Sequence, residues 1–395
     1  MDDDYKVLQQ LLHMPELFEE VRLSTGTSLQ RQAALRERYE PALVRAAMLL
    51  VELRERARGK FSRAAQMWFD RIGLEQATAE LIARHKARRF TPVEAPVLDL
   101  CCGIGSDSLA LAGAGNHVES VDHSASACRR TELNAQVYDV ADRIQTRVSD
   151  VVDLDITNRL VHIDPDRRMG RQRAVKLEDY APPLEFLQEL TQKSTGGGIK
   201  LSPASNFGGK FGHNEIELIS LHGECKEATV WFGTLTGTQA MRATILPAGY
   251  SIAGNPWELR PHVGPLQRYV YDPDPAVVRS GLLDLLVSEL PVQRLDAAEE
   301  YLTSDQLIDS PALIAFEVLQ NLPNNETIIR KAVRTGSYGD LEIKSRHVPT
   351  NAEALRKKMT LTGTGRVTLM IARIDGRTRA LLCQRVPQSR QSSLL

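Results

Sequence analysis

The sequence predicts an α/β chain in three parts: a helical N-terminal domain, an open parallel sheet wound by helices, and a small C-terminal α+β domain. Three observations carry this reading. Residues 29–89 hold few helix breakers and many strong helix formers; after Pro96 short apolar runs alternate with helical stretches; beyond a Pro- and Gly-rich segment, a strand, a helix and a hairpin close the chain. Strand alternating with helix is the signature of βαβ units and hence of a parallel sheet.

In the first part, Leu35, Leu43, Ala47, Leu50 and Leu53 recur at spacings of three, four or eight, the stripe of helices packed on a core. Pro92 and Pro96 punctuate the chain. VLDL (97–100) then reads as a strand running into a glycine-containing turn, SLALAGAG as a helix and VESVD (118–122) as a second strand. Further strands are expected at IQTRVSD, RLVHIDP, GGIKLSP, ATVWFG and MRATILP, with APPLEFLQELTQK as a crossover helix. AGNPWELRPHVGPLQ reads as a linker; VVRSGLLDLLVSEL and SPALIAFEVLQNL read as helices, DLEIKSR as a strand, NAEALRKKM as a helix, and 366–384 as a hairpin about Asp375-Gly376. The expected boundaries are 1–92, 93–250, a linker over 251–268, and 269–388, with VPQSRQSSLL as a disordered tail.

With 395 residues, 42% hydrophobic and 25% charged, the composition is that of a soluble globular protein, and no apolar run nears the roughly 20 residues that span a bilayer. The acidic start, MDDDYKVLQQLLHMPELFEE, lacks the basic and apolar segments of a secretion signal, so the expected location is the cytoplasm. Five cysteines without a CxxC pair argue against disulfides and a zinc site; no metal is expected. Formal charge is −1, but from Arg330 onward 14 Lys or Arg face 4 Asp or Glu, a local balance of +10. Such asymmetry fits a polyanionic partner or a solvated basic face.

Asp99-Leu100-Cys101-Cys102-Gly103-Ile104-Gly105-Ser106-Asp107 sits where a strand should end and a helix begin. Gly103 and Gly105 let the backbone approach a ligand closely, and Asp122 follows by one helix and one strand, which suits a carboxylate accepting both ribose hydroxyls. A dinucleotide dehydrogenase would want GxGxxG, whereas position 108 is Ser; Asp99 would be unhelpful near a pyrophosphate but useful near the amino group of methionine. Both departures favour S-adenosylmethionine. Cys101 and Cys102, taken as neighbours in a strand, should point to opposite faces and read as small buried residues under the turn.

VLDLCCGIGSD closely resembles the first motif of the class I S-adenosylmethionine-dependent methyltransferases, which implies a Rossmann-like sheet. The resemblance implies Asp99, Gly103 and Gly105 about the methionine moiety, Asp122 at the ribose and Asp150 near the adenine, with Cys102, Asp107 and His123 also binding cofactor. Ile163-Asp164-Pro165-Asp166-Arg167-Arg168 is similar to the family's fourth-strand motif, which faces the methyl group and acceptor; it makes Asp164, Pro165 and Asp166 the candidate catalytic residues, Asp164 also touching cofactor. Asn-Pro-Pro-Tyr and Asp-Pro-Pro versions accompany methylation of bases; here Asp166 replaces the second Pro and Arg167 stands where a stacking aromatic would. Lys200, Ser202 and Pro203 occupy the region where some carbon-5 pyrimidine methyltransferases place a nucleophilic cysteine, so a covalent adduct is not expected.

A wider resemblance spans about Leu53 to Arg385. Lys60-Phe61, Gln66-Met67-Trp68-Phe69-Asp70 and Leu74-Glu75-Gln76-Ala77-Thr78 are similar to the helical segment of a bacterial methyltransferase family with a C-terminal THUMP-like, ferredoxin-like domain. Leu341-Glu342-Ile343-Lys344-Ser345-Arg346, Ala354-Leu355-Arg356 and Tyr301-Leu302-Thr303-Ser304-Asp305 match that domain. The family also resembles the trimethylguanosine synthase group, which would put Phe69 and Gln76 at the cofactor mouth. The implied function is methylation of structured RNA, tRNA or rRNA, bound through the basic domain. The alternatives are a small-molecule or protein methyltransferase using that domain as an interaction module, and a non-catalytic cofactor-binding scaffold; an intact Asp164-Pro165 argues against the last.

Overall fold

The computed structural model describes residues 3–90, 95–166 and 176–387, with the backbone of 168–169 and 172–173. Arg167 lies outside the described residues, as do 388–395 of the expected tail. The chain divides into two units, 1–215 with 228–238, and 216–227 with 239–395.

The first unit opens with α1 (Asp3–Leu11), α2 (Pro15–Leu23), α3 (Ser28–Arg36), α4 (Pro41–Arg56), α5 (Arg71–Gln76) and α6 (Glu80–Ala87). Helix α3 starts at a reciprocal Thr27–Gln30 capping box, and α4 at Pro41, whose missing N–H costs nothing in a first turn. Leu35, Leu43, Ala47, Leu50 and Leu53 are all buried, as their spacing predicts. Their core also takes in Phe69 and reaches Ile104 and Leu109, so the helical segment packs directly against the glycine turn.

There follow β1 (Val97–Leu100), α7 (Ser106–Gly113), β2 (Val118–Asp122), α8 (Ala125–Val137), β3 (Ile144–Val148), β4 (Leu160–Ile163), the short β5 (Arg168–Met169) and β6 (Gln172–Arg173), α9 (Leu184–Lys193) and β7 (Gly196–Leu201). The strands lie in the order β3-β2-β1-β4-β7, all parallel, with Leu98 opposite both Glu119 and Val161. The chain leaves β1 toward β2 on one side while β4 joins on the other, so the loops at the C-terminal edge of β1 and β4 diverge and leave a crevice. The glycines of β7 have a packing reason: a Cβ on Gly197 would sit 1.9 Å from the Val161 carbonyl oxygen.

Next come β8 (Glu215–Leu221), β9 (Glu224–Gly233), β10 (Met241–Leu246) and β11 (Tyr250–Gly254). Residues 228–233 of β9 pair antiparallel with β7. In the second unit, β10 runs parallel to β8 and antiparallel to β11. After β12 (Tyr269–Pro273), the stretch expected as one helix is two, α10 (Pro275–Ser280) and α11 (Leu283–Glu289), broken at Gly281, which takes a left-handed φ of 74°. Then follow β13 (Gln293–Arg294), β14 (Leu302–Ser304), β15 (Leu313–Pro323), α12 (Glu326–Thr335), β16 (Tyr338–Ser345), α13 (Ala352–Lys357), β17 (Gly365–Ile374) and β18 (Arg377–Arg385). Strands β12 to β18 form a seven-stranded sheet ordered β13-β14-β12-β15-β18-β17-β16. The hairpin about Asp375-Gly376 is present.

SPALIAFEVLQNL is not the helix its leucines suggested. It supplies β15, paired with β12 on one edge and β18 on the other, and ladder bonds on both edges outweigh its helix propensity. Phe316 is fully buried in that strand's core. Phe316→Ala should therefore cost about 3–5 kcal/mol in denaturant unfolding of the second unit. A loss below about 1 kcal/mol would remove β15 from the centre of that core.

Candidate active site

Strand β1 ends at Leu100, and three of the next five residues adopt left-handed backbone: Cys101 (φ 58°), Gly103 (φ 56°) and Gly105 (φ 85°). The resulting turn opens a cavity of about 770 Å³, within the usual range for small-molecule sites. Gly103 lines it, and a Cβ there would meet no protein atom within 4 Å. Gly105 serves differently: it does not line the cavity, and a Cβ on it would fall 2.8 Å from Thr131 Cγ2, so it lets α7 pack against α8.

Asp99, Cys102 and Asp107 line the same cavity from the turn, Asp122 and His123 from the end of β2, Asp150 from the loop after β3, and Asp164, Pro165 and Asp166 from the loop after β4. Phe69 does not line it; its ring packs in the helical core 5.7 Å from that of Phe61. Both Cys101 and Cys102 reach the cavity, contrary to the alternation expected, because the strand has already ended and Cys101 is left-handed. Burial pushes the Cys101 thiol well up, helped by the nearby carboxylates of Asp122, Asp164, Asp99 and Asp166, so it is no ready nucleophile.

Beneath the turn lies a charge cluster that sequence reasoning missed. Lys86, from α6, is 1% exposed; its ammonium is 2.9 Å from Asp107 Oδ1 and 3.2 Å from His162 Nε2. His162 Nδ1 is 2.7 Å from Asp99 Oδ1, and Ser108 donates to the other Asp99 oxygen. An ammonium offers only protons, so Nε2 must accept and Nδ1–H donates to Asp99. Thr78 donates to Asp107 Oδ2 at 2.7 Å, and Ser106 donates to the Thr78 carbonyl at 2.6 Å. Burial would raise the Asp107 pKa, but the charges of Lys86 and Lys200 and the Thr78 hydrogen bond hold it well below the usual carboxylate range. The available signal was a histidine inside the otherwise apolar strand LVHI.

Asp122 accepts the Gly103 N–H at 3.0 Å and the Ser124 N–H at 2.9 Å, which fixes its carboxylate while leaving lone pairs for hydroxyl donors. On the other side, Lys200 Nζ lies 2.5 Å from Asp164 Oδ2 and donates to the Gln76 carbonyl at 3.0 Å; Gln76 Nε2 donates to Asp166 Oδ1 at 2.8 Å. The Asp164–Asp166 loop is thus pinned by β7 and by the end of α5. Arg130, 5% exposed, pairs with Asp4 at 2.9 Å and Asp70 at 3.6 Å, bringing α1 to the cavity wall. Burial would raise the Asp4 carboxyl, but Arg130 keeps it below its ordinary value. The ensemble suits a nucleoside carrying an amino-acid tail: a wall without side chain at Gly103, a fixed carboxylate at Asp122, and carboxylates for a cationic group.

Residues 94–184 match the family described as RNA cap guanine-N2 methyltransferase, and 313–385 match the one described as THUMP domain-like. Two proteins from Mycobacterium tuberculosis strains, each described as an uncharacterized S-adenosylmethionine-dependent methyltransferase, are 33% identical over 337 residues, covering 82% of this chain and 90% of their own length. A solved structure from Porphyromonas gingivalis, described as a candidate methyltransferase, superposes with a TM-score of 0.74 at 18% identity over 95% of this chain and 98% of its own, a likeness of fold.

Because the Asp107 pKa is lower folded than the ordinary aspartate value of 3.8, its stabilisation is whole above about pH 4 and is lost as pH falls through the folded value. Asp107→Asn should lose about 3–5 kcal/mol at pH 7, since it removes the carboxylate 2.9 Å from the buried Lys86 ammonium. Its stability should also fall less steeply than that of the wild type on going below pH 4. Parallel pH profiles in urea unfolding would show that Asp107 does not titrate as the geometry requires.

Proposed function

The chain belongs to the S-adenosylmethionine-dependent methyltransferase family of its Mycobacterium tuberculosis relatives and carries a THUMP-like domain; from that premise we propose that it methylates a nucleobase of a structured RNA. The cofactor would lie in the cavity at the β1 edge, with Asp122 on the ribose hydroxyls, Asp150 toward the adenine, and the Gly103 turn with Asp99 about the methionine end. When bound, it supplies a methyl group activated by the sulfonium. What the chain must add is alignment of the acceptor and a place for its proton. Asp164 is built for that work: Lys200 fixes one of its oxygens, and the loop it begins is held at Asp166 by Gln76.

The observation that carries the RNA reading is a helix face in the THUMP-like domain. Much of the C-terminal positive charge is neutralised at home: Lys344 and Arg346 pair with Asp272, Arg373 with Asp296, Lys358 with Glu326, Lys357 with Glu353, and Arg356 with Asp340. The dense run of cations expected to meet phosphates is therefore smaller than its count suggested. On α12, Ile329 and Val333 are buried while Arg330, Lys331 and Arg334 are exposed on the other side, and none of the three forms an ion pair with another described residue. Positions three and four apart share a helix face, so these cations form one stripe spaced to meet a phosphate backbone. The match of residues 94–184 to a family named for an RNA substrate supports the same class of acceptor.

Incubation with labelled S-adenosylmethionine and total bacterial RNA, followed by nucleoside mass spectrometry, should find a new methylated nucleoside. Transfer only to protein or small molecules would overturn the reading. Changing Arg330, Lys331 and Arg334 together to Glu should weaken RNA binding and flatten its log–log salt dependence by roughly 2–3, with cofactor affinity unchanged. Asp164→Asn should cut kcat by about 10²-fold or more while barely moving cofactor affinity; equal losses would make Asp164 a cofactor ligand only.

A further inference from the structure

Arg167 stands where a ring-stacking aromatic would follow Asp164-Pro165-Asp166. Among the described residues no Phe, Tyr or Trp lines the cavity, and the stretches outside them contain none in their sequence. Beside that loop runs instead the turn that enters α9, Ala181-Pro182-Pro183, all three residues of which line the cavity. The expected crossover helix APPLEFLQELTQK begins only at Leu184, so its first three residues are left to form cavity wall. A reciprocal pair of backbone hydrogen bonds ties this turn to the Asp164–Asp166 loop: the Asp166 N–H donates to the Ala181 carbonyl at 2.8 Å, and the Ala181 N–H to the Asp166 carbonyl at 3.0 Å. Behind the turn, Tyr180 is 4% exposed, and its hydroxyl lies 2.6 Å from Ser205 Oγ in the loop after β7. The turn is therefore fixed both to the loop that faces the acceptor and to the sheet.

We infer that Ala181-Pro182-Pro183 is the platform against which the flat ring of the acceptor lies, with Pro183 as its specificity-determining residue. The inference rests on the reading of the cavity as the site of methyl transfer to a nucleobase. Pro165 and Pro182 are buried, whereas Pro183 is exposed at the cavity, so an apolar surface begun inside the wall continues to where a ligand can touch it. Burying Ala or Pro costs no rotamer entropy, so this wall is already in the shape that contact requires. Neither proline carries a backbone N–H, so at these two residues the wall has no donor to offer a phosphate and suits the face of a ring. Polar recognition of the ring edge is left to the neighbouring carboxylates of Asp164 and Asp166.

Pro183 precedes the first turn of α9 without a side-chain cap, and its backbone is extended (φ −70°, ψ 166°), a conformation that any residue adopts. Pro183→Val and Pro183→Thr place the same shape there and differ only in a methyl group against a hydroxyl. Thr is the better residue at a helix N-cap, so a purely structural role makes Pro183→Thr the less damaging change. The platform role reverses that order. With the full chain, total bacterial RNA and labelled S-adenosylmethionine, Pro183→Thr should show a KM for RNA at least about threefold above that of Pro183→Val, with kcat and calorimetric cofactor affinity equal within about twofold. Equal KM values for the two variants, the lower KM in Pro183→Thr, or a difference that falls on cofactor affinity overturns the inference. A wild type that transfers no methyl group to RNA overturns instead the reading on which it rests.

Discussion

The buried contact between Lys86 and Asp107 is the constraint on which the first unit turns. An ammonium at 1% exposure is tolerable only beside an anion, and a carboxylate at the start of α7 is tolerable there only beside a cation. The pair therefore clamps α6, from the helical segment, onto the helix that begins at the glycine turn. His162 extends the clamp to β4 and Asp99 to β1, so the two strands that flank the crevice are joined by one chain of hydrogen bonds. The shape of the cavity floor follows from this cluster as much as from the glycines.

That dependence explains why the helical segment and the sheet share a core. Ile104 and Leu109 pack among residues of α2 to α5, while Thr78 and Ser106 tie the approach to α6 to the first turn of α7. The cavity wall contributed by Asp4, Asp70, Gln76 and Thr78 is then a fixed part of the site rather than an addition to it. Gln76 and Lys200 hold the far side of the cavity.

The parts legible in sequence were those whose signal is local. A strand ending in Gly-x-Gly and a carboxylate one helix and one strand later depend only on neighbours in the chain, and their residues converge on one cavity. Lys86 was not legible because its meaning depends on Asp107, 21 positions away, and on His162, 76 positions away. In a helix rich in Arg and Lys it reads as one more exposed cation. β15 was misread for a related reason: its leucines favour helix, and only pairing on both edges decides otherwise. Phe69 lies in a motif of the right family yet serves the core, since a resemblance places a segment and packing decides which way each side chain turns.

Charge shows the same division between chain and surface. Cations and anions far apart in sequence cancel across β12, β14 and β16, where Asp272 and Glu300 take up Lys344 and Arg346. Among the described residues of that unit, Arg330, Lys331 and Arg334 on α12 form no ion pair, so the outer side of that helix keeps its positive charge.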